Sequence, residues 1–370
     1  MNADQILEAL NEPQQEAVKH PGGPLLVFAG AGSGKTRVLT HRIAYLIATG
    51  AVSANKVLAV TFTNKAAGEM KERIQGLLQA DASRVWAGTF HSFCAYLLRR
   101  YISRLGRPSN FVIYDEDDQA ALIKQCVEAL GLPGDTPVSA WQYGIERAKD
   151  DLLSPDDLYG RAADFFEHSL ARLYDAYQRA LAKNNALDFD DLIAYAVGLL
   201  RTDREVADRL HERYHHLLVD EFQDINLAQY ELVRGLTGPE QNVSVVGDDD
   251  QSIYGWRGAR VELLLRFHHD FPQAKVVTLE QNYRSTQPIL DAAFHVISRN
   301  ATRAEKRLWT EKEHGEPPLV FDAPNEQEEA YAVASIVRQA LGEDHSPNEF
   351  AVLYRTNAQS RVYEEAFMNM

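Results

Sequence analysis

Short apolar runs alternate with stretches of helical periodicity along much of this chain. Residues 25–29, 57–62, 85–88, 216–219 and 243–246 are mainly apolar runs of strand length, and each predicts a buried strand. Val38, Leu39, Ile43, Leu46 and Ile47 fall at helical spacing with Gly50 as a stop, and Ala66, Met70, Ile74 and Leu78 share one helix face. Such alternation predicts a parallel sheet with helices on both faces and ligands at the carboxyl ends of its strands. From about Gly106 to Leu187 the strand signals fade and helical periodicity takes over. There Phe166, Leu170, Leu173, Tyr174, Tyr177 and Leu181 form a stripe that reads as core rather than as a ligand site. A second α/β unit is expected from near Leu279, with strands at 318–321 and 350–354 flanking a helix that carries Ala330, Val333, Val337 and Leu341. One helix and two strands are too few for a stable domain alone, so this unit either packs on the first or is incomplete.

Composition narrows this picture modestly. A chain of 370 residues suggests two or three domains. Cys94 and Cys126 are its only cysteines, which suits a reducing compartment and gives neither a disulfide framework nor a metal quartet. The N-terminus has no basic, apolar leader and no run is long enough to span a bilayer, so a cytoplasmic protein without membrane partners is expected. The net charge of −15 argues against a generic nucleic-acid binder. It does not argue against a local channel, in which stacking and oriented hydrogen bonds would matter as well as bulk charge.

Chemistry gathers where the predicted strands end. The first runs into Ala29-Gly30-Ala31-Gly32-Ser33-Gly34-Lys35-Thr36 and then into a helix. Glycines there let successive N–H groups face phosphate oxygens, Lys35 can reach the terminal phosphates, and the Thr36 hydroxyl suits magnesium. Ala29 stands where the strict phosphate-loop pattern has glycine. A merely flexible turn does not require Lys-Thr at that offset, so the loop predicts a nucleoside triphosphate site. Downstream, Leu217-Leu218-Val219 ends in Asp220 and Glu221. An acidic turn would explain a lone pair of carboxylates. Beside a phosphate loop, Asp220 is expected to hold magnesium and Glu221 to orient and deprotonate the attacking water. The run 243–246 leads to Asp248, Asp249, Asp250 and Gln251, then Tyr254, Trp256 and Arg257. Gln251 can bond to a γ-phosphate or its attacking water. Tyr254 and Trp256 are either packing aromatics or stacking faces for an exposed single strand, with Arg257 as a phosphate contact.

These segments, together with Leu10-Asn11-Glu12-Pro13-Gln14, Thr61-Phe62-Thr63-Asn64-Lys65-Ala66-Ala67, Gly88-Thr89-Phe90-His91-Ser92, Gln281-Asn282-Tyr283-Arg284-Ser285 and Tyr354 to Arg361, resemble the superfamily 1 DNA helicases of the UvrD/Rep/PcrA type, most of all the UvrD group. The likeness includes the order and spacing of the motifs. It implies two RecA-like lobes of the P-loop NTPase class: a first lobe at 1–107 and 188–278, a helical insertion at 108–187, and part of a second lobe at 279–370. It implies ATP and Mg2+ as cofactors, with single-stranded and partly duplex DNA as partners. By resemblance Gln14 reads the adenine edge, Tyr283 stacks on the base, and Arg284 reaches the γ-phosphate as an arginine finger. Ala29, Gly30, Ala31, Gly32, Ser33, Gly34, Lys35, Thr36 and Arg37 complete the nucleotide contacts. Phe62, Thr63, Asn64, Thr89 and His91 line a DNA track with Tyr254, Trp256 and Arg257, although a lone histidine such as His91 is more often structural. The implied activity is ATP-driven 3′ to 5′ movement on single-stranded DNA, with unwinding in repair or replication. Two later helicase motifs of the family do not follow Met370, so the alternative expectation is a piece that binds ATP and single-stranded DNA without helicase activity.

Overall fold

Leu25–Ala29 (β1), Val57–Thr61 (β2), Trp86–Thr89 (β3), Val112–Ile113 (β4), Ala186–Leu187 (β5), His216–Val219 (β6), Val243–Gly247 (β7) and Lys275–Leu279 (β8) are the strands of a computed structural model that describes residues 2–342 and 345–369. Six of them form one sheet in the order β3-β2-β6-β7-β1-β8, and every pairing in it is parallel. Parallel neighbours require crossover connections, which the intervening helices provide. The expected α/β class is borne out.

Alternate residues of each central strand feed opposite cores. Leu26, Leu58, Val60, Leu217 and Val245 pack on one face, and Leu25, Val27, Ala59, Leu218 and Val246 on the other. Burial on both faces is why these strands read as continuous apolar runs. β8 escaped notice because an edge strand is covered less completely: Lys275 and Val276 are exposed, and its sequence is Lys-Val-Val-Thr-Leu.

The helices Glu116–Leu130, Val138–Asp150 and Phe165–Lys183 surround a separate core that includes Trp141, Ile145, Leu173 and Tyr177. Leu170, Leu173, Tyr174, Tyr177 and Leu181 of the stripe are core, as expected, whereas Phe166 is exposed and stacks on Trp141 with ring centres 4.7 Å apart. Lys149 fastens this core to the start of the next helix. Its buried ammonium lies 2.5 Å from Asp188 and 2.8 Å from Asp191, and the Tyr177 hydroxyl donates to the same Asp188 at 2.9 Å.

The chain divides into two compact units, Met1–His314 and Gly315–Met370. In the second, helices Glu326–Leu341 and Ser360–Met368 meet through Ala330, Ala334 and Ala366. Neither 318–321 nor 350–354 is a strand, contrary to the sequence pattern. A strand needs a hydrogen-bonded neighbour, and neither run has one among the described residues; Leu319 and Val320 are exposed. No helix among the described residues is long and apolar enough to cross a membrane.

Candidate functional site

β1 delivers the glycine-rich loop to the carboxyl edge of the sheet, and the helix Lys35–Ala48 begins immediately after it. Ala29 is the last strand residue and fully buried, so a methyl group fits where the strict pattern has glycine. Gly32 has φ +69°, and a Cβ there would lie 2.6 Å from the Asn282 amide nitrogen. At Gly30 a Cβ would lie 2.2 Å from a methyl of Leu308. These glycines therefore serve a close approach by the segment 282–308 as well as the turn. No side chain caps the N-terminus of the Lys35–Ala48 helix, so its first N–H groups are available to an anion.

Opposite the loop, β6 ends in the paired carboxylates. Lys35 Nζ lies 2.8 Å from Glu221 Oε2, and Thr36 Oγ1 donates to Asp220 Oδ2 at 2.9 Å. Glu221 adopts φ +52°, a left-handed conformation uncommon outside glycine and often found at working sites. Gln223 donates to Glu221 Oε2 at 2.8 Å, and its own oxygen accepts from the Asp248 N–H at 3.0 Å, which joins the ends of β6 and β7. Burial and the Glu221 charge push Asp220 up to about 6, against the hydrogen bond from Thr36 and the charge of Lys35. A buried carboxylate short of positive charge beside a hydroxyl fits a hard divalent cation. Among the described residues no three His, Cys, Asp or Glu side chains cluster to hold a metal unaided. A divalent cation held by Asp220 and Thr36 would therefore need phosphate oxygens or waters to complete its ligands.

The remaining nucleotide candidates fall into two groups. Arg284 is exposed beside the loop, and Gln251 donates its amide to Asp248. Tyr283 is also exposed; its hydroxyl donates to Gln281 at 3.0 Å and accepts from Asn11 at 2.9 Å. Gln14 and Arg37 are turned to other work. The buried Gln14 amide donates to the Ser33 carbonyl at 2.9 Å, and its oxygen accepts from the Asn11 N–H at 3.1 Å. Arg37 donates to the Ala9 carbonyl at 2.7 Å. Asn282 was not singled out by sequence reasoning, yet it ties this region together. Its oxygen accepts the N–H groups of Arg284 and Ser285 at 2.8 and 2.7 Å, and its amide donates to the Ala31 carbonyl at 2.6 Å.

The DNA candidates share the same sheet edge. Phe62 and Tyr254 stack with ring centres 5.6 Å apart, and the Arg257 guanidinium lies 4.6 Å over Trp256, which is 57% exposed. Thr63 and Thr89 accept from the N–H groups of Ala66 and Ser92, so they cap the helices that follow β2 and β3; Asn64 is exposed in the first of these turns. His91 packs edge-on against Phe189 at 5.8 Å, and burial lowers its pKa, so it offers a neutral ring. Phe62, His91, Trp256 and Arg257 line one cavity of about 560 Å3 with the exposed Phe189. Phe189 was missed because a single aromatic after Leu187-Asp188 carries no pattern of its own. Acids face the same space: burial pushes Asp150 up to about 7, and burial with the Glu221 charge pushes Asp224 up to about 6.

Residues 10–272 match the UvrD/REP helicase N-terminal domain, and residues 277–370 match the UvrD-like helicase C-terminal domain. The chain is 46% identical over 371 residues to the ATP-dependent DNA helicase PcrA of Staphylococcus epidermidis, and 46% identical over 369 residues to that of Staphylococcus aureus. The whole chain aligns in each case, yet it spans about half the length (50%) of these curated relatives. The chain belongs to the UvrD/REP helicase family.

Proposed function

We propose that the chain hydrolyses ATP to move 3′ to 5′ along single-stranded DNA and to unwind partly duplex DNA in repair or replication, in the cytoplasm. The observation that carries this reading is the pairing of Lys35 with Glu221 and of Thr36 with Asp220 across the carboxyl ends of two parallel strands. An arriving triphosphate draws Lys35 onto its terminal oxygens and frees Glu221 to accept a proton from the attacking water. Asp220 and Thr36 would hold magnesium, which when bound supplies positive charge to the phosphate oxygens. Gln251 orients the water or the γ-phosphate, and Arg284 answers the charge that develops there. Tyr283 stacks on the base. Gln14 reaches the adenine edge once its bond to Ser33 exchanges. The domain reading is a first lobe at 1–107 and 188–278, a helical insertion at 108–187 and part of a second lobe at 279–370. On the DNA side Phe62, Thr63, Asn64, Thr89, His91, Tyr254, Trp256 and Arg257 form the track, joined by Phe189.

A second reading, binding of ATP and single-stranded DNA without turnover, is favoured by the absence of strand pairing at 318–321 and 350–354. ATP hydrolysis by the purified chain, with and without an oligo-dT strand, separates the two. The helicase reading expects stimulation of about tenfold, equal to about 1.4 kcal/mol of barrier. Nucleotide and DNA binding with no stimulation would favour binding alone.

A further inference from the structure

β7 runs into three consecutive carboxylates, Asp248, Asp249 and Asp250, at the place where the proposed site must accept a polyanion. Left alone they would repel a terminal phosphate. Instead they converge on one ammonium. Lys306 Nζ lies 3.0 Å from Asp248, 2.5 Å from Asp249 and 2.9 Å from Asp250, with its side chain 2% exposed. Arg303 adds a two-pronged pair to Asp250 at 3.0 and 2.8 Å, and the Ala304 N–H donates to Asp249 at 2.7 Å. Burial opposes the Lys306 charge, but the Asp248 charge and the bonds to Asp249 and Asp250 outweigh it, so its pKa is raised.

The clasp sits next to the phosphate loop. Lys306, Asp248, Asp250, Gln251 and Ala31 line a single cavity of about 380 Å3. It also governs how the proposed catalytic groups are held. One Asp248 oxygen meets Lys306 while the other accepts the Gln251 amide. The Asp248 N–H is held by Gln223, which bonds Glu221. Fixing Asp248 thus fixes Gln251 directly and Glu221 through one intermediary.

We propose that Lys306 is a positioning residue of the nucleotide site, neutralising Asp248, Asp249 and Asp250 so that an acidic loop can present Gln251 to a terminal phosphate. The proposal rests on the nucleotide reading above. Losing Lys306 leaves the carboxylates short of one positive charge nearest the third phosphate, so triphosphate binding suffers more than diphosphate binding.

The test is titration of the chain with fluorescent ATP and ADP derivatives. Lys306→Met is expected to weaken ATP binding about tenfold and ADP binding no more than about twofold, a separation of about 1 kcal/mol. Adding Asp249→Asn, which removes the surplus charge, should restore most of the ATP preference; a packing role for Lys306 would not be rescued in this way. Equal loss of ATP and ADP, or no rescue, overturns the proposal. Buried carboxylates stripped of their lysine are costly, so folding of Lys306→Met is checked first by circular dichroism, and the variant is set aside where it fails to fold. In that case Asp249→Asn alone carries the test, since it keeps the ammonium and should raise the ATP-over-ADP preference about twofold or more. An unchanged preference then contradicts the proposal. Lys35→Ala tests the underlying reading separately: if it binds ATP normally, the nucleotide site itself is misplaced.

Discussion

The proposed nucleotide site and the proposed DNA track on this sheet edge are built on opposite principles. On the nucleotide side nearly every polar side chain already has a protein partner: Lys35 with Glu221, Thr36 with Asp220, Gln223 with both strand ends, and Lys306 with three carboxylates. On the DNA side the surfaces are unlatched. Trp256 and Phe189 are exposed at 57% and 44%, and acids rather than bases face much of the cavity. A preorganised polar site loses little on receiving a charged group, because its dipoles are already oriented. A stacking site is tolerant of sequence and depends on a few ring faces.

Removing one of those ring faces should have the largest effect. Trp256→Ala should weaken oligo-dT binding by about 1–3 kcal/mol, roughly 5- to 150-fold in anisotropy titrations, while ATP binding stays within about twofold. Equal losses would mean that Trp256 supports the fold rather than the strand.

A smaller effect concerns pH. Burial pushes the Asp150 carboxyl up to about 7, helped by the charges of Asp151 and Glu146 and opposed by Arg147 and the hydrogen bond from Asn226. Because its native pKa is raised, the group is neutral below about 7 and ionised above it. Two consequences have a fixed sign. Folding stability contributed at this site falls as pH rises from the ordinary carboxylate range toward 7, since the folded state holds the proton more tightly. Single-stranded DNA binding weakens between pH 6 and 8 as negative charge appears in the track. Asp150→Asn should flatten that part of the pH profile; a profile identical to that of the unaltered chain would remove Asp150 from the track.

How far the sequence carried this account depends on where each signal lay. Central strands were legible because both of their faces are buried, which leaves uninterrupted apolar runs such as Leu25 to Ala29. The edge strand Lys275–Leu279 was not, because its outer positions Lys275 and Val276 are exposed, which removes the need for an apolar run. The expected strands at 318–321 and 350–354 show the converse: apolar runs become strands only beside a hydrogen-bonded neighbour. Lys35, Thr36, Asp220 and Glu221 could be named in advance because their chemistry requires fixed offsets at strand ends. The ties from Lys306 to Asp249 and from the Asn282 amide to Ala31 could not, since they join distant residues without a strand-end motif whose chemistry requires them. What the sequence did not show for Gln14 is its present partner, the Ser33 carbonyl, which its amide must leave to reach an adenine.

Coupling between the proposed nucleotide and DNA sites would run through the segment from Asp248 to Arg257, which leads from Gln251 to Tyr254, Trp256 and Arg257. It is tested most directly by measuring oligo-dT affinity of the chain with and without a saturating, non-hydrolysable ATP analogue. Coupling through that segment predicts a change of about fivefold or more, about 1 kcal/mol, with an equal reciprocal effect of DNA on nucleotide affinity. Identical DNA affinities in the two conditions would contradict it.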